Sequence, residues 1–155
     1  MVSSLHSISR STFIRAPRSR VWRALTEMGE FRRWFSVETA EAAFVPGARL
    51  RGVSTHEGPC YNAEFFLDVV EMVPERTFSW RWHPGVNLLN EDLSEEPMTL
   101  VTFQLEDAEG GTLVTVTESG FDRLFAGRRP RVFGENDEGW KIQMAALERY
   151  LGETA

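Results

Sequence analysis

Cysteine and long apolar runs are nearly absent from this chain, and each absence excludes a class of structure. Cys60 is the only cysteine among 155 residues, so neither an intramolecular disulfide nor a zinc site of several thiolates can form. No apolar run approaches the roughly 18 residues that a membrane-spanning helix needs, and residues 1–7 lack the apolar stretch of a signal peptide. The sequence therefore predicts a cytoplasmic protein with no membrane span.

Motifs of metal, phosphate and nucleophile chemistry are missing as well. His56 and His83 fall near predicted strand ends and form neither an HxH nor an HExxH pattern, so we expect surface histidines and no metal site. Gly110-Gly111 is not followed by a helix, so it indicates a hairpin rather than a phosphate loop. No G-x-S-x-G elbow occurs, and no cofactor is predicted. The formal net charge of −6 argues against a nucleic-acid partner, because such a partner favours a basic surface.

Aromatic residues, in contrast, make up 12% of the chain, with eleven phenylalanines and five tryptophans. Aromatic side chains favour β-strands and line apolar binding pockets, although each of them is equally well explained by plain core packing. The length suffices for one domain with a hydrophobic core and without a metal or disulfide. We therefore expect a single β-rich domain over residues 1–155.

The order of periodic segments predicts an α+β fold. Residues 7–15 alternate as a strand, Pro17 suits the first turn of a helix that Gly29 ends, and residues 30–35 form a second short helix. Regular βαβ alternation is absent and connections are short, which indicates an antiparallel sheet. Six further strands are predicted over residues 37–44, 49–55, 61–73, 76–82, 98–106 and 112–119.

The C-terminal segment, residues 136–152, has the pattern of one amphipathic helix. Asn136 or Asp137 can cap its start, and Gly152 suits its end. Residues 87–97 are predicted as an acidic loop, and residues 127–130 as the loop before the helix. A lone long helix after antiparallel strands must bury its apolar stripe against the sheet, and a curved sheet leaves room for a pocket there. The stripe consists of Trp140, Met144, Leu147 and Leu151.

Four local motifs resemble those of the START-like or SRPBCC superfamily, and in particular its branch named after the activator of the ninety-kilodalton heat-shock ATPase. Each motif alone is weak, but together they span nearly the whole chain in the right order. The motifs are Ala16-Pro17 with Val21-Trp22 and Leu25-Thr26; Trp34-Phe35; Pro74-Glu75-Arg76 with the strand from Phe78 to Trp82; and residues 112–121 with Gly139-Trp140 and residues 147–151.

The resemblance implies the helix-grip fold. In this fold a curved antiparallel sheet of about six to seven strands wraps around a long C-terminal helix, and two short helices follow strand one. The resemblance also implies a cavity between sheet and helix that binds a small apolar, aromatic or lipid-like ligand. Relatives include lipid carriers, plant hormone receptors, polyketide cyclases and aromatases, so the fold does not settle the chemistry.

Strand alternation indicates which side chains would line this cavity. Successive residues point to opposite faces, and we take the more apolar set of each strand as facing the helix, although a shift of one residue would invert the choice. In residues 61–73 the facing stays open, because Phe65, Leu67 and Val69 compete with Phe66 and Val70. Trp34 and Phe35 either guard the cavity mouth or plug the core. The predicted ligand-binding residues are Trp34, Phe35, Phe65, Phe78, Trp80, Trp82, Val101, Phe103, Val116, Glu118, Trp140, Met144 and Leu147.

Glu118 continues the apolar face of its strand and is the one candidate catalytic residue. If it points into the cavity, its carboxyl is desolvated, which raises its pKa. Such a carboxyl suits a general acid or base, or the binding of a polar ligand group. In the alternative interpretation, Glu118 sits at the end of its strand, where the sheet opens to water.

Three functions are compatible with the sequence. A small-molecule binding protein ranks first because no clustered catalytic set is visible; a cavity filled by Trp80, Trp82 and Phe103 would argue against it. A module that stimulates a chaperone ATPase ranks third, because the full co-chaperone has a further N-terminal domain for which this chain has no room. The second-ranked function is an enzyme of the polyketide cyclase or aromatase kind that uses Glu118 and a hydroxyl of Tyr61, Thr115 or Tyr150. Apart from these functions, an exposed strand edge would allow a homodimer.

Overall fold

A computed structural model describes residues 6–55, 63–85 and 91–154, in which seven antiparallel strands curl around a long helix. The order of strands across the sheet is β1-β7-β6-β5-β4-β3-β2. Helices α1 (Arg18–Thr26) and α2 (Met28–Phe35) follow β1, and α3 (Arg129–Thr154) comes last. This is the predicted helix-grip fold, which is thereby confirmed. The strands are β1 (Ser7–Ile14), β2 (Val37–Glu38), β3 (Arg49–Ser54), β4 (Glu64–Val73), β5 (Thr77–Trp82), β6 (Thr99–Ala108) and β7 (Gly111–Ser119).

The concave face of the sheet carries the core. The facing predicted for β5, β6 and β7 is confirmed, because their apolar sets are buried against the helices. In β4 the open choice is resolved by burial: Leu67 and Val69 are buried, whereas Phe66 and Val70 are exposed. The predicted helix stripe is also confirmed, with Trp140, Met144, Leu147 and Leu151 all buried.

The helix boundaries differ from the predicted ones in three places. The first helix ends at Thr26, because the backbone of Glu27 is extended, and Gly29 lies inside α2 instead of ending α1. Helix α3 begins at Arg129, well before residue 136, since Pro130 occupies the first turn, where its missing N–H leaves no bond unmade. Asn136 therefore lies within the helix rather than at its cap, as does the alternative cap, Asp137, and Gly152 does not end the helix.

The predicted strand over residues 37–44 is wrong beyond its first two residues. Val37 and Glu38 pair with β3, and the chain then leaves the sheet. The guanidinium of Arg32 donates to the carbonyl oxygens of Thr39 and Glu41 at 2.8 and 2.9 Å, which holds this segment against α2. Residues 61–62 of the predicted fourth strand and residues 87–90 of the predicted acidic loop lie outside the described residues, as do His56 and Cys60.

Helix α2 packs beside α3 and closes one side of the core. The indole N–H of Trp34 donates to the carbonyl of Ala24 in α1 at 2.7 Å, and the ring lies edge-on to Phe31 and Phe103. Phe35 is also buried. Both residues are thus part of the core, as the plug interpretation predicts.

Across the described residues, no helix combines the length and apolar character needed to span a membrane.

The tight β6–β7 hairpin yields a testable consequence at Gly111. A Cβ at this position would lie 2.1 Å from the carbonyl oxygen of Ile14 in β1, a contact that only backbone movement can relieve. We expect Gly111→Ala to lower the free energy of unfolding by about 1–3 kcal/mol in urea denaturation. The control is Gly134→Ala in α3, where nothing lies within 4 Å and stability should rise by up to about 1 kcal/mol. Equal effects of the two substitutions would contradict this packing.

Candidate functional site

Glu118 is fully buried at the last inward position of β7, so the interpretation that placed it at an open strand end is wrong. Helix α3 reaches back over this end of the sheet because it begins at Arg129. Its residues Val132 and Phe133 pack there, Phe133 edge-on to Phe121 at 5.2 Å between ring centroids. A carboxyl is thereby enclosed between sheet and helix.

Four donors surround the Glu118 carboxyl. Oε1 accepts hydrogen bonds from Nε1 of Trp140 and Nδ2 of Asn136, each at 2.8 Å. Oε2 accepts from Oγ1 of Thr99 at 2.6 Å and from Nε1 of Trp82 at 2.8 Å. An ionised carboxylate offers about four lone-pair sites, so these donors occupy all of them. We call these five residues the Glu118 network.

Two opposing effects act on the protonation of Glu118. Burial raises the pKa of its carboxyl, because the charged form loses its hydration, while the four hydrogen bonds act in the opposite direction and the net pKa is raised. The indole and amide N–H groups only donate, so three of the four contacts match an ionised carboxylate. Glu118 forms no ion pair within the part of the chain that the structure describes.

The hydroxyl groups proposed as partners of Glu118 do not reach it. Thr115 lies on the opposite face of β7 and bonds to Ser11 at 2.8 Å. The hydroxyl of Tyr150 donates to Glu30 at 2.8 Å, and Tyr61 lies outside the described residues. The pairing of an acid/base Glu118 with Thr115 or Tyr150 is therefore not formed. The acid/base role itself stays a prediction.

Two members of the Glu118 network were missed from the sequence. Asn136 was assigned to helix capping, and its spacing of one helical turn from Trp140 is the signal that places both on one face. Thr99 is an inward residue of β6, opposite Trp82 in the strand pairing. Alternation extended by one pair beyond Val101 would have placed it on the concave face.

Five aromatic rings cluster beside the carboxyl, with Trp82 at their centre. Its ring centroid lies 5.6 Å from that of Trp80, 6.1 Å from Trp140, 6.2 Å from Phe65 and 6.5 Å from Phe35. These residues form what we call the aromatic cage. Trp82 and Phe65 are only partly buried and reach the surface, whereas the other three rings are buried.

Phe65 covers a glycine of the neighbouring strand. Its ring lies across Gly52, its cross-strand partner, where a Cβ on Gly52 would meet the ring tip at 2.5 Å. The ring also stands edge-on to Trp82. Phe65 is thus a partly exposed ring at the edge of the cage, and only the far end of its side chain lies over Gly52.

The remaining predicted lining residues lie deeper in the core. Trp34 lies in α2, the others lie on the concave face of the sheet or on the buried stripe of α3, and all are fully or nearly fully buried. Trp80 contacts Trp82, Phe103 and Trp140, and Trp140 also contacts Trp82 and Phe103, so aromatic side chains fill the space where a cavity was expected. The residues in question are Trp34, Phe78, Val101, Phe103, Val116, Met144 and Leu147.

Two clefts among the described residues lie elsewhere. One, of about 420 Å³, lies beside the β6–β7 hairpin and is lined by Arg15, Pro17 and Arg18 among others. The other, of about 190 Å³, lies between α2 and α3 beside Arg33 and Arg149. Neither is lined by Glu118 or by a residue of the aromatic cage.

A second buried charged cluster joins two segments predicted as loops. Arg128 donates from Nε to Oε2 of Glu96 at 3.1 Å and from Nη2 to Oε1 at 3.1 Å, and Nη2 also donates to the carbonyl of Pro84 at 2.9 Å. The backbone N–H of Phe125 donates to Oε2 of Glu96 at 2.9 Å. Burial lowers the pKa of the neighbouring His83. This cluster ties the end of β5 to the start of α3.

The described ranges contain no cluster of side chains that would support metal binding. No three His, Cys, Asp or Glu side chains come together there in a geometry that could hold a metal ion. The polar centre at the sheet–helix interface is thus the Glu118 carboxyl and its neutral donors.

The family described as "Activator of Hsp90 ATPase homolog 1-like protein" matches residues 15–152 of the chain. Comparison with curated protein sequences gives no significant match. Among solved structures, protein MLL2253 from Mesorhizobium loti shares 23% sequence identity at a TM-score of 0.75. That match covers 96% of this chain and 98% of the other.

Two further solved structures are similar in fold. The Aha1 protein from Colwellia psychrerythraea, whose structure is that of a dimer, shares 22% identity at a TM-score of 0.71, and the match covers 97% of this chain and 96% of that one. DynU16, a protein of the dynemicin biosynthetic locus, shares 24% identity at a TM-score of 0.71, and the match covers 95% of this chain but 47% of DynU16. Identities this low establish the likeness of fold alone.

Proposed function

This chain belongs to the family of Activator of Hsp90 ATPase homolog 1-like proteins, a family with a ligand-binding fold, and we propose that it binds a small aromatic molecule between sheet and α3. The ligand lies against the tryptophan rings of the aromatic cage, with Phe65 covering its entrance, and donates a hydrogen bond to Glu118. The observation that carries the proposal is the enclosure of a carboxyl, with no ion pair to any described residue, among aromatic rings of which two reach the surface.

The composition of the site supports ligand binding. Small-molecule sites are mostly apolar and aromatic, with a few polar groups that orient the ligand. Here the rings provide the apolar wall, and Glu118 with Thr99 provides the polar group. Nε1 of Trp80 is buried without a hydrogen-bond partner among the described residues. An unpaired buried donor is destabilising, and an oxygen atom of a ligand would give it an acceptor.

Because the rings fill the interface, we propose that the ligand enters by displacing Phe65 and Trp82 rather than by filling a preformed cavity. Phe65 is partly exposed and rests on Gly52, so rotation of its side chain uncovers one face of Trp82. The apparent affinity is then the intrinsic affinity multiplied by the fraction of molecules that are open. A variant without the Phe65 ring should therefore bind more tightly than the wild type.

The test uses 1-naphthalenemethanol, an apolar aromatic alcohol with one O–H donor, followed by isothermal titration calorimetry. We expect one molecule to bind per chain, with roughly threefold to tenfold higher affinity in Phe65→Ala, since the opening step is no longer needed. The matched control is Phe66→Ala, the neighbour on the opposite face, which is 40% exposed and should leave the affinity unchanged. The proposal is contradicted if the wild type shows no saturable binding up to the solubility of the probe.

A further inference from the structure

Charge distinguishes the Glu118 site from an ordinary apolar pocket. We infer that its natural ligand is an aromatic amine that is positively charged at neutral pH. This inference rests on the proposed binding function and adds the charge of the ligand to it. The reasons are the absence of a cation beside the carboxyl in the described residues, the aromatic rings around it, and the two partly buried donors that a ligand can replace.

Among the residues that the structure describes, none supplies a cation to Glu118. Of the two fully buried glutamates, Glu96 pairs with the guanidinium of Arg128, whereas Glu118 is held only by neutral donors in the described part of the chain. Arg10, on the adjacent strand β1, pairs with Asp137 at 3.1 Å. A buried carboxylate without a counter-charge is destabilising, so a cationic ligand would gain from neutralising it.

The aromatic cage favours the same charge. Aromatic faces are electron-rich and attract cations within about 6 Å, most strongly for tryptophan and most strongly where water is excluded. Three of the five rings are tryptophans: Trp80, Trp82 and Trp140. Trp82 and Trp140 turn their N–H edges toward Glu118, so an ammonium group that lies over a ring face beside the carboxylate would be attracted by both.

Glu118 already has four donors, so a ligand must replace one of them. Thr99 is fully buried and Trp140 nearly so, whereas Asn136 and Trp82 are only partly buried. Asn136 has a short side chain on the surface of α3, and its amide can turn to water. An ammonium N–H then takes its place at Oε1, and a charge-assisted hydrogen bond replaces a neutral one.

The experiment compares three probes with one ring system. The probes are 1-naphthylmethylamine, which is a cation, 1-naphthalenemethanol, which is neutral, and 1-naphthalenecarboxylate, which is an anion, each titrated at pH 7 in low salt. We expect the amine to bind the wild type roughly tenfold more tightly than the alcohol. The carboxylate should bind more weakly than both, because two like charges would meet in a low-dielectric site.

Two variants locate this preference at Glu118. Glu118→Gln should reduce the preference for the amine over the alcohol to less than about threefold, whereas Glu106→Gln, an equal change of charge on the exposed face of β6, should retain it. Should Glu118→Gln fail to fold, Asn136→Ala provides a second test. It removes one of the two donors to Oε1 without removing the carboxylate, and should strengthen binding of the amine several-fold.

The outcomes separate this inference from the proposed function. Equal binding of amine and alcohol, or tighter binding of the carboxylate, overturns the cationic ligand and leaves small-molecule binding intact. Failure of all three probes to bind overturns both. A preference for the amine that survives in Glu118→Gln overturns the role of this carboxylate.

Discussion

Glu118→Ala is expected to lower the free energy of unfolding by about 3–5 kcal/mol, a large part of the 5–15 kcal/mol typical of a domain. The substitution leaves the buried donors of Thr99, Trp82 and Trp140 without their acceptor. Each unsatisfied buried donor destabilises by about 1–3 kcal/mol, while removal of a buried charge offsets part of the sum. Urea denaturation followed by tryptophan fluorescence measures the change.

Comparison of Glu118→Gln with Glu106→Gln separates the contribution of the Glu118 network to stability from the general effect of removing one negative charge. The glutamine amide retains one acceptor oxygen but turns a nitrogen toward two donors. We therefore expect Glu118→Gln to lower the free energy of unfolding by about 1–3 kcal/mol. Glu106 is exposed, and its substitution should change stability by less than about 0.5 kcal/mol. A Glu118→Ala variant as stable as the wild type would show that the four hydrogen bonds contribute nothing net.

The second large effect is expected at the buried ion pair of Glu96 and Arg128. Arg128→Met should lower the free energy of unfolding by about 3–5 kcal/mol, because it leaves the Glu96 carboxyl enclosed without its cation. Within the described residues, that carboxyl would keep the backbone N–H of Phe125 as its hydrogen-bond donor, with Nδ1 of His83 4.0 Å away. Chemical denaturation by urea is again the measurement, with circular dichroism at the helix signal as readout.

A double substitution identifies the cause of that loss. Glu96→Leu combined with Arg128→Met removes both charges, and should recover a substantial part of the stability lost in Arg128→Met alone. The control is Arg49→Met, which breaks an exposed pair with Asp68 and should change stability by about 1 kcal/mol or less. Were the double variant less stable than Arg128→Met, an uncompensated Glu96 charge could not be the cause.

The parts of the site that the sequence predicts are those governed by a local period. Alternation along β5 and β7 placed Trp80, Trp82 and Glu118 on the concave face, and helical spacing placed Trp140 opposite them. A period of two residues in strands and 3.6 in helices needs no knowledge of distant contacts. For these residues the sequence was sufficient.

The parts that were missed depend on contacts between distant segments. Pro130 and Asn136 are both common at helix starts, and their local preferences alone do not say that the helix begins at the earlier of them. Glu96 lies among exposed acidic residues, and only Arg128, 32 positions later, explains its burial. Local patterns predict which face of a strand or helix a side chain occupies, but they do not predict which distant residue it contacts.

The central claim, that a small aromatic molecule binds beside Glu118, is tested most directly by NMR of the indole N–H groups. The chain has five tryptophans, and single Trp→Phe variants assign their five side-chain signals in a ¹⁵N-labelled protein. On titration with 1-naphthalenemethanol, the signals of Trp82 and Trp140 should shift in a saturable manner, while that of Trp22 stays in place because its ring is not part of the cage. Saturable shifts confined to Trp22 and Trp34, or no saturable shift at Trp82, would contradict it.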